Sequence, residues 1–118
     1  MATQPNILFL MVDQMSHFVL PVAQPNGRQP RATAIAPNLQ ALANEGRVFT
    51  NCYSASPLCA PARASILTGA HVREHRVCTN GDEFPASMPT FLHGLQKEGY
   101  RTKPISSVPT SFTVSTTG

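Results

Sequence analysis

From Asn6 to Val12 the chain runs through Ile7, Leu8, Phe9, Leu10, Met11 and Val12 without a charge, then stops abruptly at Asp13 and Gln14. Alternation with period two is missing, so neither face of this segment is suited to water. The expectation is a parallel strand covered by helices on both sides. Ligands of open α/β sheets gather at the carboxyl ends of strands. Asp13 and Gln14 occupy that end and offer a carboxylate and an amide oxygen, donors suited to a hard cation such as calcium or magnesium. A polar strand terminus making a turn explains the same pair without a ligand.

The run from Pro57 through Leu58, Cys59, Ala60, Pro61, Ala62, Arg63, Ala64, Ser65, Ile66, Leu67 and Thr68 to Gly69 sets a cysteine, a proline and an arginine where a loop enters a helix. Pro61 fits a first helical turn, where a missing N–H costs nothing, and Gly69 fits a left-handed stop at the far end. Cys59 is thereby placed at a helix N-terminus. Unpaired N–H groups and the positive end of the helix dipole converge there and favour an anion. Arg63, one turn on, adds a permanent cation with a planar donor fork. The plainer explanations are a small buried cysteine, ordinary helix punctuation and a solvated arginine.

This stretch resembles the signature of the type I sulfatases, Cys-x-Pro-x-Arg followed by a helical turn and Thr-Gly, with every constrained position filled. The resemblance implies that Cys59 is oxidised after synthesis to formylglycine, whose hydrated aldehyde attacks the sulfur of a sulfate ester. It also implies that Arg63 orients and polarises that hydrate. Members of the family open with an apolar strand ending in Asp-Asp, whose carboxylates bind the metal beside formylglycine. By the same resemblance Asp13, Gln14 and the residue derived from Cys59 make the metal set here. The Asp-Gln pair is more similar to the choline-sulfatase and phosphonate-monoester-hydrolase branch, and it leaves one less negative charge at the metal. Calcium is the expected ion, with magnesium and manganese as alternatives. Asn80, in the turn Asn80-Gly81-Asp82-Glu83-Phe84, matches a substrate-pocket position of choline-sulfatase-like proteins; turn chemistry alone explains it as well.

Composition narrows the partners. One domain at most fits in 118 residues, and a net charge of +3 comes from scattered arginines instead of a basic stripe, so no nucleic-acid partner is expected. The apolar run near the start is too short for a membrane span and has no basic region before it, so neither a signal peptide nor a membrane partner is expected. Cys52, Cys59 and Cys78 are odd in number and lack Cys-x-x-Cys spacing, which opposes a disulfide framework and a structural zinc site. Free thiols suit a reducing compartment, and a cytoplasmic protein is expected. Cys52 and Cys78 are read as small buried positions.

The expected order of elements is strand, loop, helix, strand, helix, loop, helix. Residues 15–36, with three prolines and Gly27, form an irregular connection. A helix starts at Pro37, carries Leu39, Leu42 and Ala43 at helical spacing, closes at Glu45 and takes a left-handed cap from Gly46. Arg47 to Tyr53 reads as a strand leading to the Cys59 loop. Met88, Phe91, Leu92 and Leu95 mark an amphipathic helix ending at Gly99, and Tyr100 to Thr102 begin another strand. The alternation argues for an α/β sandwich with a mainly parallel sheet. The resemblance sharpens it to the N-terminal part of an alkaline-phosphatase-like fold over residues 1–102.

After Thr102 the relatives continue into Gly-Lys-x-His, whereas Ser and Thr fill half of residues 103–118 here, and Pro104 and Pro109 oppose a central strand. That tail does not match the family, and a truncated or frame-shifted product, or a fragment, is expected. His71-Val72-Arg73-Glu74-His75 spells H-x-x-E-H, the inverted zinc-peptidase signature, which needs a continuing helix and a third ligand downstream. His17 is read as a loop histidine and His93 as an exposed helix histidine. The expected function is hydrolysis of a small-molecule sulfate ester, after action of a formylglycine-generating maturation enzyme. Phosphonate or phosphodiester hydrolysis by the same constellation is the alternative, and an inactive anion-binding fragment is the non-enzymatic one. The chain alone is expected to lack turnover.

Overall fold

The computed structural model describes residues 4–16, 36–103 and 105. The chain divides into two compact units, Met1–Cys52 and Tyr53–Gly118. Among the described residues the regular elements are four helices: α1 (Pro37–Glu45) in the first unit, and α2 (Cys59–Thr68), α3 (Val72–His75) and α4 (Phe91–Lys97) in the second.

No strand forms among the described residues, which corrects three expectations. Residues 6–12 carry no ladder, and Ile7 to Val12 are exposed, Leu8 by 82%. Residues 47–53 and 100–102 likewise stay irregular. The physical reason is that apolar sequence makes a strand only when a neighbouring strand takes its N–H and C=O groups, and no such neighbour is among the described residues. His17, most of the 15–36 connection, Pro104 and residues 106–118 lie outside the described residues.

Helix α1 begins at Pro37 as its sequence requires, and Gln40 donates to Asn44 Oδ1 one turn on at 2.8 Å. Its end differs from expectation. Gly46 has φ −113° and ψ −155°, extended and not left-handed, while its N–H donates to Leu42 O at 2.9 Å. A Cβ at Gly46 would stand 3.1 Å from that same oxygen, so glycine serves close approach there and not positive φ.

In the second unit α2 packs against both α3 and α4. Among the described residues the buried hydrophobic core is small: Ala60 and Ala64 from α2, and Val77 after α3, with Phe84 packed against them. Pro61 is also fully buried. Helix α2 ends where its sequence places the stop, at Gly69 with φ 70°. The Gly69 N–H donates to Ser65 O at 2.8 Å. Thr68 Oγ1 donates back to Ala64 O at 2.7 Å and accepts the Ala70 N–H at 3.1 Å.

Helix α4 starts later than its apolar spacing suggests. Met88 lies in a turn, its N–H on Pro85 O at 3.0 Å, because the following Pro89 disfavours helical backbone at residue 88. Thr90 is the N-cap, and its N–H and hydroxyl meet His93 Nδ1 at 3.1 and 2.8 Å. His93 is thus a half-buried capping residue, not a bare surface histidine. At the other end Gly99 has φ 85°, its N–H reaches Gln96 O at 3.0 Å, and the Tyr100 N–H reaches Leu95 O at 3.0 Å. That pair of bonds is a Schellman stop.

Candidate active site

Cys59 is the first residue of α2, half-buried, with its thiol free. Two serines build the approach: Ser54 Oγ donates to Ser56 O at 2.6 Å, and Ser56 Oγ accepts the Leu58 N–H at 3.2 Å. Leu58 then holds extended backbone as N-cap and has no side-chain oxygen to offer the first turn. Asn80 supplies that oxygen from across the loop, its Oδ1 accepting the Ala60 N–H at 3.0 Å. A backbone N–H only donates, so the contact assigns Oδ1 to Ala60 and leaves Nδ2 as the donor end of the Asn80 amide.

Arg63 is half-buried and lies one turn after Cys59, on the same helix face. Cys59, Arg63 and Asn80 therefore lie in the second unit, the first two on α2 and Asn80 bonded to its first turn. Asp82 secures the turn that carries Asn80. Its Oδ2 accepts the Cys78 N–H at 2.7 Å and the Thr79 N–H at 2.8 Å. Those bonds, Thr79 first and Cys78 next, hold the carboxyl below the ordinary aspartate range.

Asp13 and Gln14 belong to the first unit, in a turn directly after the apolar run. Gln14 has φ 53°, the left-handed region, which costs a residue with a Cβ free energy and clusters at ligand sites.

The H-x-x-E-H pattern does not make a metal centre. Helix α3 is four residues long and separate from α2, and His75 is fully buried with Nε2 on Ser65 Oγ at 2.9 Å and Nδ1 accepting the Val77 N–H at 3.1 Å. Both ring nitrogens are spent. Among the described residues no group of three His, Cys, Asp or Glu is placed to hold a metal ion. Cys52 and Cys78 are exposed, not buried as the sequence suggested. No helix among the described residues is long and apolar enough to cross a membrane.

A family model described as Sulfatase matches residues 5–118. This chain belongs to the sulfatase family. A choline-sulfatase of Rhizobium meliloti is 43% identical over 99 residues, covering 84% of this chain and 18% of the relative. An N-acetylglucosamine-6-O-sulfatase of Bacteroides thetaiotaomicron is 36% identical over 99 residues, covering 84% of this chain and 17% of the relative. An arylsulfatase of Clostridium perfringens is 46% identical over 72 residues, covering 61% and 14%. The chain thus spans less than a fifth of the length of these relatives. No solved structure matches. Sulfatase membership implies the alkaline-phosphatase-like α/β fold, and the family generally depends on formylglycine and a metal.

Sequence reasoning placed Cys59 and Arg63 on one helix ending at Gly69, and α2 carries both. It missed the cap from Asn80, because a contact between residues twenty apart leaves no local pattern. It also missed the Ser65–His75 bond, whose one sequence signal, the H-x-x-E-H spelling, points to different chemistry.

Proposed function

We propose that this chain contributes the nucleophile loop and first metal ligands of an enzyme that hydrolyses a small sulfate ester, R–O–SO₃⁻ and water giving R–OH and hydrogensulfate. The observation that carries the reading is the Cys59-x-Pro61-x-Arg63 segment seated at the first turn of α2, with the Asn80 amide beside it. Cys59 is the precursor of formylglycine, which supplies an aldehyde hydrate as nucleophile, and a separate oxidising maturation enzyme performs the conversion. Arg63 holds negative charge one turn away, and Asn80 Nδ2 is the donor for a sulfate oxygen. Helix α2 orients Cys59 and Arg63, since Pro61 and Ala64 anchor its inner face, and the bond to Ala60 ties Asn80 to its first turn.

Asp13 and Gln14 offer hard oxygens, and the strained backbone of Gln14 is what a ligand-binding turn displays. They would hold calcium, or magnesium or manganese, and the ion supplies charge stabilisation to the sulfate oxygens. Calcium takes about six to eight oxygen ligands, and Asp13 and Gln14 give one formal negative charge. Turnover by the 118 residues alone is therefore expected to be absent. The choline-sulfatase relative and the Asp-Gln pair together favour a choline-like ester over an aryl one. Three free thiols support a cytoplasmic, reducing setting.

The test is co-expression with a formylglycine-generating enzyme and mass spectrometry of the peptide containing Cys59. The expected result is loss of the thiol there and reaction with an aldehyde-selective hydroxylamine probe. A fully retained thiol at Cys59 overturns the proposal. In a catalytic domain that includes this segment, Cys59→Ala abolishes hydrolysis of choline sulfate; faster turnover of a phosphonate monoester than of any sulfate ester would move the assignment to the alternative branch.

A further inference from the structure

His75 is the largest side chain fully shielded from solvent among the described residues, and the reaction described above gives it no task. Its Nδ1 accepts the Val77 N–H at 3.1 Å. A backbone amide cannot accept, so Nδ1 carries the lone pair, and in a neutral ring the proton sits on Nε2. Nε2 then donates to Ser65 Oγ, 2.9 Å away and itself buried.

The two partners of this ring lie on the two sides of the small core. Ser65 belongs to α2, whose Ala60 and Ala64 pack on Val77. The backbone that follows His75 then leads to Asn80, which takes the Ala60 N–H. So the segment from residue 75 to residue 80 grips α2 twice, at its second turn through His75 and at its first through Asn80. With so few buried apolar groups, a single buried hydrogen bond carries a large share of the constraint.

Resting on the reading of Cys59 as nucleophile precursor, we infer that His75 is a positioning residue: a neutral Nε2–H imidazole that fastens α2 through Ser65 and so fixes how Cys59 is presented. Long-range ¹H–¹⁵N correlation on the ¹⁵N-labelled 118-residue chain reads the tautomer. The expected pattern is a protonated Nε2 and a bare Nδ1 at His75; a protonated Nδ1 overturns the inference. Iodoacetamide alkylation, followed peptide by peptide, reads the presentation of Cys59, with exposed Cys52 as internal reference. Ser65→Ala and His75→Phe each raise the Cys59 rate relative to Cys52 by about three- to tenfold, the factor set by one hydrogen bond of ordinary net strength. Combining them adds nothing further, and His75→Gln, which keeps a donor for Ser65, restores most of the protection. Additive effects, or equal rises at Cys52 and Cys59, overturn the inference. Should His75→Phe fail to fold, Ser65→Ala and the tautomer of the unaltered chain still decide. Failure of the sulfatase reading would show in the conversion of Cys59, whereas failure of this inference shows in the ring protons and thiol rates.

Discussion

Asn80 and Ala60, twenty residues apart, are joined by a 3.0 Å hydrogen bond that caps the helix beginning with Cys59. A helix whose own N-cap is Leu58 would otherwise leave that donor to water. The cap ties the turn holding a candidate substrate donor to the turn holding the candidate nucleophile.

Asn80→Ala removes the acceptor and should lower stability by about 1 kcal/mol, the usual worth of a capping side chain. Asn80→Asp keeps an oxygen at the same place and adds charge favoured by the helix dipole, so its stability should stay near that of the parent. Denaturant unfolding of the three proteins checks the order. An Asn80→Ala chain as stable as the parent would show that water replaces the cap without loss.

Asp82 makes the same turn sensitive to acid. The Thr79 and Cys78 amides stabilise its carboxylate, so the folded group titrates below the unfolded one. Its contribution is complete above the unfolded value and is lost as pH falls through the lowered folded value. Amide exchange at Cys78 and Thr79 should therefore accelerate only below the ordinary aspartate range, after correction for intrinsic rates. In Asp82→Asn that acid transition should vanish and both amides should exchange faster at neutral pH.

Arg76 ends α3 in the left-handed region, with φ 59° and ψ 12°. Arg76→Gly should raise stability by about 0.5 kcal/mol by relieving the steric cost of a Cβ there, and Arg76→Val should lower it by about 1–2 kcal/mol. Thermal melts of the pair read the difference. Equal melting temperatures would mean that the turn relaxes out of the left-handed region.

Under the proposed function, charge at the first unit's turn sets the cation affinity. Gln14→Asp should tighten calcium binding about fivefold or more, since a second carboxylate at contact distance adds at least ~1 kcal/mol even in high dielectric. Asp13→Asn should abolish binding measurable by calorimetry. Unchanged affinity in both would remove this pair from the metal site.

How much of this was legible depended on whether the cause was local. Pro37, Pro61, Gly69 and Gly99 act within one turn of themselves, and the helices begin or stop beside each of them. Gly46 was misread because a glycine can serve positive φ or close approach, and only the neighbouring Leu42 O distinguishes them. The apolar run at Ile7–Val12 announces burial but cannot name its partners, and strand formation is a property of the partners as much as of the run. The helix position of Cys59 and Arg63 was legible because the punctuation that sets it lies within the same few residues. The bonds by which Asn80 and His75 hold α2 were not, since each reaches it from a later segment, Asn80 from a turn and His75 from the end of α3.

The open space around Gly69, where an added Cβ would meet nothing within 4 Å, divides the family signature into two kinds of information. What constrains that position is an angle and not a volume. Asparagine, at home in left-handed backbone, could hold the stop where valine could not. Thr68 beside it does similarly geometric work, its hydroxyl tying Ala64 O to the Ala70 N–H. A distant homologue that keeps Cys, Pro and Arg but replaces Thr-Gly by another helix stop has therefore lost nothing chemical. One that keeps Thr-Gly and loses the cysteine has kept only the scaffold.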